Sequence, residues 1–410
     1  MSRRGGILPR RSAGEWAVRI ALALVVAVLG TWSVMQSLAY SERGVAPELA
    51  HRLAPGDGRI TAILSEKLSG PEATPAQRAE ANRLARLALR QDPTAMAAAA
   101  TLGIDAQLRG DTAGARRIFA YAQMLSRRDL RTQLWAIEDA VGRGDVAGAL
   151  RQYDITLRTS EYGPDLLFPV LSSAIADPAI RDALIRTLAA KPAWTQAFVE
   201  YVAVNGPDPR TTFALFTGLQ RVGVRVSANA RAVLVNALLK GDFRDEAWRY
   251  YASIRPGADR RMSRDPRFTA ALDTPSPLDW TPIDDAGISA SIQRGDKDGV
   301  FDFSAPASIG GPMLRQMQLL PAGDYVLQGH SLNIDQPDGS RPYWTLTCQD
   351  GRELGRVALP NSAQAGGDFA GRFSVPAGCP VQYLSLVAQP SDAVAGVSGQ
   401  IDRVQLAPAR

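Results

Sequence analysis

This chain is poor in the side chains from which most metal sites and histidine-dependent active sites are built. Two Cys and two His in 410 residues are too few soft ligands for a Cys/His zinc cluster or an iron–sulfur cluster. His51 and His330 stand far apart, and no sequence feature places an activated Ser or Cys beside either, so a Ser/His/Asp or Cys/His constellation has little support. A Gly-rich phosphate loop is also missing: Gly103 and Gly110 read as packing and turn glycines from their surroundings. Lysine is scarce, with 4 Lys against 42 Arg. No metal, no cofactor and no catalytic residue are expected from this inventory.

What is present is the makeup of a folded, multidomain chain. Hydrophobic residues are 46% and charged residues 21% of the sequence, too apolar for disorder, and the length suits two or three domains. The net charge of +5 divides unevenly: +4 over residues 1–39, +6 over 40–274 and −5 over 275–410. The basic residues of the middle segment alternate with acids instead of forming a patch, which argues against a nucleic-acid partner.

From Ile20 to Ala39 the chain carries twenty uncharged residues in a row, about 30 Å of helix, the thickness of a bilayer's hydrocarbon core. Arg3, Arg4, Arg10, Arg11 and Arg19 precede this run, and charge after it is balanced. The positive-inside bias puts the N-terminus in the cytoplasm and the rest outside. A signal-anchor over 17–39 is the expected reading, with the lipid bilayer as its partner. A cleaved signal is the alternative, because Ser37-Leu38-Ala39 is a small-x-small site. A buried core helix is disfavoured by the lack of a polar face.

Residues 45–273 show apolar positions at helical spacing, interrupted every 14–20 residues by breakers such as Asp92-Pro93, Gly163-Pro164 and Gly206-Pro207. Gly110-Asp111 recurs as Gly144-Asp145, 34 residues on. Ala115 and Ala149 follow at equal offsets, then Phe119 and Tyr153. With Leu102, Gly103 and Ala122, this pattern resembles the tetratricopeptide repeat family. The best unit is 96–129, with partial units at 62–95 and 130–163. A degenerate copy near 241–254 has Ala247 and Tyr251 each one residue late. The resemblance implies antiparallel helix pairs packing through Leu102, Gly103, Gly110, Ala115, Phe119, Ala122, Gly144, Ala149 and Tyr153, stacked into an α-solenoid.

Composition changes at Asp273-Thr274-Pro275-Ser276-Pro277, read as a linker over 274–282. Beyond it, eight short alternating runs separated by turn signals predict an antiparallel β-sandwich or jelly roll over 283–410. The phrase Leu320–Leu327 resembles the strand entry of galactose-binding-like and carbohydrate-binding sandwich modules. Cys348 and Cys379, the only cysteines, both fall here, and in an exported domain they are expected to pair, two buried free thiols being the alternative. Asp296–Asp302 superficially resembles a calcium loop but lacks the closing Glu, and reads as a β-turn. Tyr343 and Trp344 beside Arg341 and Asp335 form the one candidate glycan-binding cluster, and strand alternation allows only one of the two rings to face outward.

The predicted architecture is therefore a basic cytoplasmic N-terminus (1–16), a transmembrane helix (17–39), a tetratricopeptide-like solenoid (45–273), a Pro-rich linker (274–282) and a β-sandwich (283–410). It implies a non-enzymatic, single-pass protein of a bacterial inner membrane, its bulk in the periplasm. Its expected role is a scaffold that binds envelope or membrane proteins through the solenoid, by analogy in polysaccharide biosynthesis or export. The alternative is a glycan-binding module in which the sandwich holds polysaccharide and the solenoid is a spacer. A hydrolase or lyase acting on envelope glycan is a third reading.

Overall fold

The apolar run forms a single helix, longer than expected: α1 spans Ala13–Glu42 and is capped by Ser12, whose side chain accepts from the Glu15 amide at 3.3 Å. Its most apolar 18 residues have a mean hydropathy of 2.0 and none is buried. The computed structural model describes residues 12–270, 273–295, 298–391 and 394–409. Arg3, Arg4, Arg10 and Arg11 before α1, and Asp296 and Lys297 of the calcium-like turn, lie outside the described residues.

The chain divides into two compact units, one closing at Gly163 and the other running from Pro164 to Arg410. In the first unit, the last turns of α1 join a helical array. Ala39 is buried with Ala50, Ala54 and Ile60, and the Tyr40 hydroxyl donates to Asp57 at 2.8 Å. After α2 (Pro47–Leu53) come three helix pairs: α3 (Gly58–Leu68) with α4 (Pro75–Gln91), α5 (Met96–Leu108) with α6 (Thr112–Leu125), and α7 (Leu130–Gly142) with α8 (Val146–Thr159).

The 34-residue spacing is repeated in detailed geometry. Gly110 and Gly144 end their helices with φ of 81° and 69°, a left-handed conformation that costs a glycine little. The next residue then caps the following helix: Asp111 accepts from the Gly114 amide and Asp145 from the Gly148 amide, each at 2.7 Å. Gly103 makes room for its partner helix, since a Cβ there would stand 2.8 Å from the Phe119 ring. That ring is buried and stacks on Trp135 at 4.4 Å between centroids. Ala115, Ala122, Ala149 and Tyr153 are buried, as packing positions require, and Leu102 is half-buried against the neighbouring core cluster.

Among its described residues the second unit adds six helices, of which α13 (Ala228–Lys240) and α14 (Arg244–Ile254) lead to the β region. The degenerate repeat copy explains its own one-residue lag. Asp242, not Gly241, takes the left-handed position at φ 62°, so Ala247 and Tyr251 fill the buried sites one residue late.

Among the described residues the β region is a sandwich of two five-stranded antiparallel sheets, ten strands where eight were expected. The first has the order β1-β4-β9-β6-β7, from Thr281–Pro282, Gly311–Gln318, Gln382–Ala388, Tyr343–Cys348 and Glu353–Ala358. The second has the order β2-β3-β10-β5-β8, from Ser289–Arg294, Gly299–Ala305, Val397–Pro408, Gly323–Leu332 and Asp368–Val375. Between them lies one apolar core that includes Phe301, Phe303, Phe373, Leu384 and Ile401. Cys348 and Cys379 form a disulfide with Cα atoms 5.5 Å apart.

The stretch read as a linker is packed. Ser276, Leu278, Asp279 and Trp280 are buried, and the backbone of 277–283 bonds to β4 through Met317 N to Pro277 O and Ile283 N to Met313 O, both 2.9 Å. Its prolines suit a strip laid along a sheet edge, where a missing N–H leaves no ladder bond unmade.

Arg264 explains why this strip is held. Its fully buried guanidinium donates to the Leu278 carbonyl at 2.7 Å, to Gln318 Oε1 at 2.6 Å and to the Met317 carbonyl. Burial pushes this group below its ordinary pKa, opposed by nearby Tyr251 and Asp279. Tyr251 of α14 in turn donates to Asp279 at 2.8 Å, and Asp279 caps Ser276.

Candidate functional site

The glycan-binding cluster expected from sequence is taken apart by strand parity. Trp344 is wholly buried, 5.7 Å from Trp280 between ring centroids, so it packs the core and cannot stack on a sugar. Its Nε1 has no hydrogen-bond partner among the described residues. Tyr343 is the outward neighbour, with the Arg356 guanidinium 4.5 Å from its ring centroid. Arg341 is paired with Asp338 before β6, and Asp335 accepts from Gln364 at 2.9 Å and Asn361 at 3.3 Å within the adjoining loop. Both polar groups are committed to holding that loop.

Following the parity of Tyr343 across the sheet finds a face that sequence reasoning missed. Opposite residues are Tyr343 with Val387, then Thr345 with Ser385 and Arg315, then Thr347 with Tyr383 and Met317. Tyr343 and Tyr383 therefore share the outer face, about 14 Å apart by strand geometry, with Thr345 and Ser385 buried between them. The Arg315 guanidinium lies over the Tyr383 ring at 5.4 Å. No local signal joins Arg315 to Tyr383; only the β4–β9 pairing does.

At the β1–β4 side this face borders a groove of about 610 Å³, whose opposite wall is α13. The helix contributes Val233, Asn236 and Lys240; the sheet side contributes Thr281, Arg315, Met317, Tyr383 and Gln349. Among the described residues no carboxylate lines it.

In the first unit Arg116 of α6 reaches Asp139 of α7 at 2.6 Å, and Arg143 joins the same carboxylate at 3.1 Å. These contacts hold the Asp139 carboxyl below its usual range, Arg116 contributing most. His51 Nδ1 sits 3.2 Å from Thr61 Oγ1 in the first unit, and His330 Nδ1 faces both Asp402 oxygens at 3.0 Å in the second. Among the described residues no group of three or more His, Cys, Asp or Glu could hold a metal ion.

No protein-family model matches this chain, and no curated protein matches it. Solved structures give partial likenesses. The CBM22-1 xylan-binding domain of Paenibacillus barcinonensis Xyn10C is 12% identical over 35% of this chain and 94% of that one, with a TM-score of 0.24. TmCBM61, solved in complex with β-1,4-galactotriose, is 15% identical over 36% of this chain and 97% of that one, with a TM-score of 0.26. Pseudomonas aeruginosa pilF is 14% identical over 56% of this chain and 94% of that one, with a TM-score of 0.26. The enzymatically active domain of tailspike protein 4 from bacteriophage CBA120 is 14% identical over 31% of this chain, with a TM-score of 0.23, and the match spans 18% of that chain.

Proposed function

We propose that this chain is a membrane-anchored, extracytoplasmic scaffold that binds protein partners of an envelope assembly through its helices and catalyses no reaction itself. The observation that carries the reading is α1. Its apolar surface is exposed over the whole membrane-length window, while its last turns are built into the first helical unit through Ala39 and Tyr40. Signal cleavage after Ala39 would remove a buried alanine from that packing, which favours a retained anchor. The Cys348–Cys379 disulfide suits an oxidising compartment.

A second reading is favoured by the Tyr343/Tyr383 face: the sandwich binds carbohydrate, with the two half-buried rings as its stacking surface. The two readings are compatible, since a scaffold can hold glycan and protein at once.

The anchor is tested by intact mass of the membrane-purified protein and by protease treatment of spheroplasts. The expected result is a full-length mass with residues after 42 digested from outside. A mass beginning at Tyr40, or full protection from protease, overturns it.

A further inference from the structure

We propose that the groove between α13 and the β1–β4 side of the sandwich binds an acidic saccharide, its carboxylate held between Lys240 and Arg315. The proposal rests on the reading that the sandwich binds carbohydrate and names the class it takes.

Two basic groups on the groove wall carry unspent donors. Among the described residues neither Lys240 nor Arg315 has a carboxylate within ion-pair distance, whereas Arg244 and Arg249 on α14 and Arg356 on the same sheet each do. Arg315 is positioned instead by the Tyr383 ring, which fixes the guanidinium without using its N–H groups. Residues 275–410 carry a net −5, yet the groove has two cations and no acid. Lys240 comes from the basic 40–274 segment and Arg315 from the acidic 275–410 segment, and a lining that holds both cations without an acid is a surface matched to an anion.

The remaining lining favours a sugar over a peptide. Among the described residues the Asn236 and Gln349 side-chain amides make no hydrogen bond, and such amides, offering donor and acceptor together, match vicinal hydroxyls. Ile283 and Met317 supply the apolar floor that a pyranose face needs. An extended peptide would require free backbone groups to pair with. Here β4 is paired with β9 on one side, and on the other with the two residues of β1 and the 277–283 backbone, so no long free stretch of β4 faces the groove. The groove volume of about 610 Å³ is within the range of small-ligand sites, roughly 300–1,000 Å³.

The test uses the full chain in detergent micelles, titrated calorimetrically with tetragalacturonate, with its carboxyl-reduced counterpart galactotetraose, and with a tetraglutamate peptide of equal charge. The acidic sugar should bind at least about tenfold more tightly than the neutral one, the scale of a hydrogen bond to a charged group. Lys240→Gln and Arg315→Gln should each remove about that factor for the acid and leave the neutral sugar unchanged, with circular dichroism showing both variants folded. Equal binding of the two sugars overturns the acidic class and leaves the carbohydrate reading standing. Binding of neither sugar overturns both. Tetraglutamate binding as tightly as tetragalacturonate, and weakened by the same two variants, makes the groove a site for acidic polypeptide and overturns the saccharide assignment.

Discussion

Replacing Cys348 and Cys379 together with alanine removes a cross-link that closes a loop of 31 residues in the unfolded chain. On the chain-entropy relation, closing a loop of that length is worth about 3.7 kcal/mol at 25 °C. Alanine is the right replacement because both sulfurs are buried, so a serine would add an unsatisfied hydroxyl to the loss. The disulfide joins the end of β6 to the segment that leads into β9, and those two strands are already ladder neighbours. The native contacts around it therefore survive its removal, and the effect is carried by the unfolded state. Pulse proteolysis of the full-length protein across a urea series reads it directly. With a slope of about 2 kcal/mol per molar, the midpoint for loss of the sandwich should fall by roughly 2 M, while fragments of the first helical unit keep theirs. A loss below about 1 kcal/mol would refute the loop-closure account. Finding free thiols in protein taken from cells would refute the assignment to an oxidising compartment.

Trp344→Ala should cost about 3–5 kcal/mol, the scale for emptying a buried aromatic site; a variant that keeps wild-type thermal stability would put the indole at the surface after all. Gly103→Ala drives a methyl toward the Phe119 ring and should destabilise the first unit by about 1–3 kcal/mol of overpacking, partly offset by helix propensity; a raised melting temperature contradicts the close approach. Arg264→Met leaves the Leu278 and Met317 carbonyls without their donor and should expose the 274–282 strip to protease before any helix is cut; unchanged cleavage there would deny Arg264 that role. Burial, and then Arg83, hold the His51 imidazole below its ordinary value. The unfolded chain thus takes up that proton first, so stability is full above roughly pH 6.5 and declines as pH falls through it. His51→Gln should flatten the slope in a pH series of melting temperatures, and an unaltered slope assigns it to other groups.

Much of this architecture is written locally. Breaker spacing marks most helix ends because a capping aspartate or a left-handed glycine acts within three or four residues, as at Gly110–Gly114 and Gly144–Gly148. The tetratricopeptide-like period is legible for the same reason. The two strands that escaped notice, β1 and β4, depend on distant partners. β4 contains Pro312, a register shift before Leu314, and inward-facing Gln316 and Gln318. That pattern breaks alternation, and its justification is Arg264, more than fifty residues away. The 274–282 strip resembled a linker because its prolines were visible and its bonds to β4 were not. At the glycan cluster, alternation showed that one of Tyr343 and Trp344 must turn inward, but only the sandwich shows which. Tyr383 and Arg315 carried no mark at all, since strand pairing alone brings them together.

The scaffold reading is tested most directly by in-cell photo-cross-linking of the full-length protein. Photoreactive residues at the exposed positions Leu108, Met124 and Val141 of the first unit and at Gln349 and Val394 of the sandwich separate the two surfaces. Mass spectrometry of the adducts then names what each one touches. The account predicts one defined set of envelope proteins joined through positions 108, 124 and 141. Polysaccharide recovered with the protein, and no protein adduct at those three positions, would contradict it and leave the sandwich as the working part of the molecule.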